Sequence, residues 1–173
     1  IYQGNGTLTI KAQEGGVSRF SGNKAGNISN AIYMARDENK KVDRILELEA
    51  TTNGKIIFDD GIDGVAGYSV TISGDDTGTV AFNNKIANAA SVTSEKVTLA
   101  LGVSENGAAD LAGVDLTINS GVLDLQNDIP QTVEVGTFAS TADTGLKIDA
   151  DLASGQSDQI SAQSVAADSK ISL

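Results

Sequence analysis

One phrase occurs twice in this chain at a fixed offset of 24 residues. Leu46-x-Leu48, Gly54-x-Ile56-x-Phe58 and Ile62 return as Val70-x-Ile72, Gly78-x-Val80-x-Phe82 and Ile86. Each copy has two alternating apolar residues, a glycine, a second alternating pair ending in Phe, and an isolated Ile. A constant period in this range is the mark of a solenoid, in which each repeat lies on the last and buries its apolar face against it. Such a fold has long surfaces and no obligatory pocket.

Period-two alternation extends well beyond the repeated phrase. It appears in Leu8–Ala12, Val97–Leu101, Leu116–Asn119, Leu123–Leu125, Val133–Val135 and Leu146–Leu152, each a short half-buried strand by pattern. Turn dipeptides such as Asn5-Gly6, Asn53-Gly54, Thr77-Gly78 and Ser120-Gly121 fall between them. No stretch has a helical period with caps. The expected fold is all-β: a right-handed single-stranded parallel β-helix of about seven coils, roughly 33 Å long at the strand spacing. A sandwich also gives short strands and turns, but it does not require Phe58 to align with Phe82 or Ile56 with Val80. Aromatic residues are only 4% of the 173, and Gly numbers 19 against a single Pro. Small aliphatic side chains suit a narrow, regular interior, and the glycines suit tight turns.

The rhythm breaks in three places: Tyr33–Arg44, Ala87–Lys96 and Gly102–Val114. Solenoids absorb insertions as loops from one turn position, and such loops often carry recognition. These segments are the expected loops and the places to look for function. The basic residues Arg36, Lys40, Lys41 and Arg44 alternate with Asp37, Glu38 and Asp43. They read as a solvated loop that needs no ligand.

Composition narrows the chemistry. The net charge of −11 repels phosphate backbones, so no nucleic-acid partner is expected. No apolar run is long enough to span a membrane. With neither Cys nor His in the chain, thiolate nucleophiles and every histidine-based triad or metal site are excluded. Asp59-Asp60 and Asp75-Asp76 are the remaining acid/base candidates. Neighbours on a strand point to opposite faces, so neither doublet forms the pair that a glycosidase needs. Turn chemistry is their simpler role. Asp149, Asp151 and Asp158 could offer oxygens to Ca²⁺, but their spacing matches no calcium loop. No catalytic residue, metal ligand or cofactor is assigned, and the chain is read as no enzyme.

Several stretches resemble coils of autotransporter passenger domains: Thr52–Ile62, Gly78–Asn84, Ser120–Asn127, and Leu146–Ile160 with its D-x-D-L-x-x-G-x-x-D-x-I pattern. Phe20-Ser21-Gly22-Asn23 followed by Ala31-Ile32-Tyr33 is similar to a motif pair of polymorphic outer-membrane proteins, with Ser29-Asn30 in place of two glycines. The resemblance covers about Gly6 to Leu173. It implies a β-helix displayed on the surface of a Gram-negative bacterium, as a fragment of a longer passenger without its membrane barrel. The implied function is adhesion or a structural stalk. Partners would be host-surface proteins, glycans or neighbouring copies. A β-helix enzyme acting on polysaccharide and a filament subunit are the alternatives.

Overall fold

A computed structural model describes residues 1–36, 42–102, 109–141 and 143–170. Among these residues every regular element is a strand. The chain is all-β, with two long parallel sheets and one short one, an arrangement compatible with a β-solenoid.

The first long sheet has seven strands, which lie side by side in chain order: Gly6–Ala12, Arg44–Ala50, Tyr68–Gly74, Ala89–Glu95, Asp115–Ile118, Thr132–Ser140 and Gln159–Val165. The second has six, Val17–Phe20, Lys55–Phe58, Thr79–Phe82, Val97–Leu101, Gly121–Asp124 and Thr144–Lys147. The third joins Tyr2–Gln3, Ile32–Met34 and Ile62–Gly64, and bridges extend it from Ile62 to Ile86 and from Lys85 to Asp110. The chain visits the long sheets alternately, and every long-sheet pairing is parallel.

The 24-residue phrase is the register of these sheets. Leu46 pairs with Val70 and Leu48 with Ile72. Ile56 pairs with Val80 and Phe58 with Phe82, and Ile62 bridges to Ile86. All ten of these side chains are buried. Like residues therefore stack one strand spacing apart. Phe58 lies between Phe20 and Phe82, with ring centroids 4.6 and 5.4 Å away and near-parallel planes. Gly54 and Gly78 mark the corner between the long sheets. A Cβ on either would run into a backbone carbonyl of the preceding pass, Ala12 or Ala50 respectively. The glycines are there because the backbones nearly touch.

One expected loop is corrected outright. Residues 87–96 are not an excursion: Ala89–Glu95 is a full strand between Tyr68–Gly74 and Asp115–Ile118. A register shift between Tyr68 and Ser69 takes up one residue, and Ser94 occupies an inward position. The bulge and the polar inward residue together hide the alternation that marks a strand. Within 102–114, residues 103–108 lie outside the described set. The remainder turns back into the core, with Ala109, Leu111 and Val114 buried.

Candidate functional site

The largest departure from regularity comes early. Thr9 faces Glu47 across 38 residues, and Phe20 pairs with Phe58 over the same distance. Later passes return in 24 or fewer over much of the fold, as between Leu46 and Val70. Part of the excess forms a small projection after Phe20. There Lys24–Ala25 pairs antiparallel with Ile28–Ser29 across a Gly26-Asn27 turn. Gly26 has φ +66°, the left-handed conformation that a two-residue hairpin turn requires of its first central residue.

A buried carboxylate holds this hairpin. Asp60 Oδ1 accepts from the Gly22 amide at 3.2 Å and the Ser29 hydroxyl at 2.8 Å. Its Oδ2 accepts from the Asn23 amide at 2.7 Å and the Asn23 side-chain amide at 2.8 Å. Burial alone would push the acid up. The hydrogen bonds from Asn23, Ser29 and Gly22 outweigh it and hold Asp60 below the usual carboxylate range. Its neighbour Asp59 points elsewhere, accepting from Arg19 Nε at 2.5 Å and Asn83 Nδ2 at 3.0 Å. The doublet, in the bend that follows Lys55–Phe58, is split between two tasks.

The hairpin leaves Ile28 69% exposed. Beside it lies a mostly apolar groove of about 220 Å³, lined in part by Ile28, Ile62, Ala87, Asp63, Asn84 and Lys85. A larger, open depression of about 480 Å³ crosses successive passes of the second sheet near Gly121 and Gly145, rimmed by Asp76, Lys96 and Asp143. Those three charged residues are exposed. The depression has no enclosed acid/base pair of the kind that general catalysis uses.

The other sequence candidates divide clearly. Asp75 accepts from the amides of Thr52, Thr77 and Gly78 and the Thr77 hydroxyl. The Thr77 hydroxyl and the amides depress its pKa. It is a turn residue. Asp158 is buried and joins the amides of Gln131 and Asp149, while Asp149 Oδ2 accepts from Asn127 and Asp128. Asp151 accepts from the Ala153 amide and the Ser154 hydroxyl. Each of these carboxylates is aimed at its own stretch of chain. Among the described residues no three acidic side chains come together to hold a metal ion.

Arg44 is a correction. It is not part of a solvated basic loop but is only 7% exposed, with its guanidinium donating to the carbonyls of Met34, Val65 and Ala66 at 3.2, 2.5 and 2.6 Å. It closes the corner where the third sheet meets the first. Arg36 is exposed, and Lys40 and Lys41 lie outside the described residues.

Sequence reasoning missed the hairpin and its clasp of Asn23, Ser29 and Asp60. Two signals mark it: the Gly26-Asn27 turn dipeptide and the 38-residue interval from Phe20 to Phe58. Comparison of the chain with protein-family models, curated proteins and solved structures finds no match among any of the three.

Proposed function

We propose that this chain is a right-handed parallel β-helix of about seven coils serving as a non-enzymatic, surface-displayed module of the autotransporter-passenger type. It would contact proteins or glycans of a host or neighbouring cell through its projections and sheet faces. The seven-stranded first sheet and the alternating visits to two parallel sheets support the coil reading. The observation that carries the functional part is the clasped hairpin. A turn clasped by Asp60 places an exposed aliphatic side chain, Ile28, beside a mostly apolar groove. Exposed apolar features set in polar surroundings are where recognition concentrates.

The test is binding of the labelled chain to host-cell surfaces and to a glycan array, with Ile28→Asp as the comparison. The expected result is saturable binding of the native chain, weakened by about tenfold or more in the variant, the change that loss of roughly 1.4 kcal/mol would cause. Unaltered binding by Ile28→Asp would remove the hairpin as the contact. Absence of any binding by a folded native chain would remove the adhesive role.

A further inference from the structure

Two Asn-x-Ser/Thr triplets occur in the chain, Asn5-Gly6-Thr7 and Asn27-Ile28-Ser29, neither with proline in the middle. This triplet is the acceptor signal for N-linked glycosylation, which joins a sugar to the asparagine side chain. The hydroxyl two residues on is what the transferase reads beside the acceptor amide. The fold treats the two copies differently. Asn5 is half-buried with a partner in the fold, the Gly6 amide donates to the Asp43 carbonyl at 3.0 Å, and Thr7 pairs with Ile45 in the first sheet. Asn27 is exposed, at the second central position of the turn between Lys24–Ala25 and Ile28–Ser29. Its carboxamide makes no hydrogen bond among the described residues.

The third residue of the Asn27 triplet belongs to the clasp. Ser29 is half-buried, and its hydroxyl donates to Oδ1 of the buried Asp60 at 2.8 Å. The same carboxylate accepts from Gly22 and Asn23 on the other side of the hairpin. In the closed hairpin, therefore, the acceptor amide is open to solvent and the recognition hydroxyl is not. A transferase can read both only on the open hairpin, before it closes or during local opening. A sugar on Asn27 is compatible with the closed form, because that side chain takes no part in the clasp. A sugar on Asn5 would instead crowd a half-buried residue that borders the strand Gly6–Ala12.

We infer that Asn27 is an N-glycosylation site, modified while the hairpin is open and carried afterwards on the closed projection. The donor is a sugar activated as a diphosphate ester. Asn27 Nδ2 forms a bond to the anomeric carbon of the sugar as the bond from that carbon to the diphosphate oxygen breaks. The diphosphate leaves with the electron pair, and one of the two amide protons passes to a base of the transferase. A nucleoside-diphosphate sugar and a lipid-diphosphate oligosaccharide share this chemistry. The sequence offers two acceptors, and the fold selects one. This inference goes beyond the adhesive reading and does not rest on it.

The test maps tryptic peptides of the whole protein recovered from its natural source. Asn27 falls in Ala25–Arg36, and Asn5 in the peptide that ends at Lys11. Sugar is expected on the first and not on the second. A single hexose would identify the nucleotide-linked donor, and a larger preassembled glycan the lipid-linked one. An unmodified Ala25–Arg36 peptide would overturn the proposal, as would sugar confined to Asn5. The clasp is tested separately on the unmodified chain, using a soluble asparagine glycosyltransferase and UDP-glucose, with circular dichroism as the folding control. Transfer to folded Asp60→Ala should be at least about tenfold faster than to the folded native chain. Asn27→Gln, which leaves the hydrogen bonds of Asp60 in place, should accept no sugar on that peptide. Equal rates for the native chain and Asp60→Ala would overturn the requirement for an open hairpin. Should Asp60→Ala fail to fold, the native chain gives the same comparison, with the enzyme present during cell-free synthesis or added only after folding.

Discussion

Two successive intervals of this chain do the same architectural task with different amounts of sequence. From Thr9 to its neighbour Glu47 the chain spends 38 residues, and from Leu46 to Val70 it spends 24. The pairing in the sheets is equally regular across both, residue for residue. Part of the extra chain leaves at the corner after Phe20, and the ladders are undisturbed. Loop length costs little thermodynamically; holding a loop in one conformation requires specific partners. The projection of the longer interval is therefore held by the buried Asp60 of the following pass and its end by the buried Arg44, whereas the turn at Thr52 in the shorter one is closed by the half-buried Asp75. Regular passes are held by stacked apolar side chains, and the irregular corner by hydrogen bonds to charge.

The largest effect should come from breaking the apolar ladder that both intervals share. Phe58 is buried between two rings, and Phe58→Ala should cost about 3–5 kcal/mol, read from urea unfolding. Phe20, at the edge of the same ladder and half-buried, should cost clearly less on the same substitution. Equal costs for the two would mean that Phe20 is covered in solution.

Next come the two charged residues of the corner. Arg44→Met keeps the aliphatic stem but strands the carbonyls of Met34, Val65 and Ala66, and a loss of about 3 kcal/mol is expected. Asp60→Ala should cost about 2 kcal/mol. Its effect should be local, with faster amide exchange at Gly22 and Asn23 while the amides of Arg44–Ala50 keep their protection. Uniform loss of protection across both regions would show the hairpin to be part of the cooperative core.

Asp60 also sets a pH dependence. Its folded pKa is depressed, so the stability it adds is fully present above the unfolded value of about 3.9 and is lost as pH falls through the lower folded value. Hairpin protection should be flat from neutral pH down to about pH 5 and collapse only below about pH 4. A loss centred near neutrality would exclude Asp60 as the clasp.

How much of this was readable beforehand follows from which physics each part uses. The ladders were legible because alternation and a constant offset are one-dimensional facts: Gly54, Phe58 and their partners 24 residues on needed no coordinates. Ala89–Glu95 was misread because a bulge at Tyr68 and a serine at position 94 break the same pattern while the pairing continues. The corner was opaque for a different reason. Asp60 meets Asn23 and Ser29, and Arg44 meets Val65 and Ala66, across separations that no local pattern encodes. Arg44 in particular looked like one basic residue among several until its carbonyl partners were visible.

The smallest expected effect has the opposite sign. Ser94 is fully buried in the ladder between Ile72 and Ile118, and its hydroxyl has no hydrogen-bond partner among the described residues. Asp60 and Arg44 are buried polar groups too, but every role assigned to them here is a hydrogen bond. Ser94 has only the desolvation cost, of order 1 kcal/mol. Ser94→Ala removes the hydroxyl without adding volume and should raise the urea midpoint slightly. Ser94→Val also restores the aliphatic character of the ladder and should raise it further if the strand spacing accepts the extra methyl. Destabilisation by both substitutions would mean that the hydroxyl is satisfied in solution, and that the regular region, like the corner, depends on a buried polar contact.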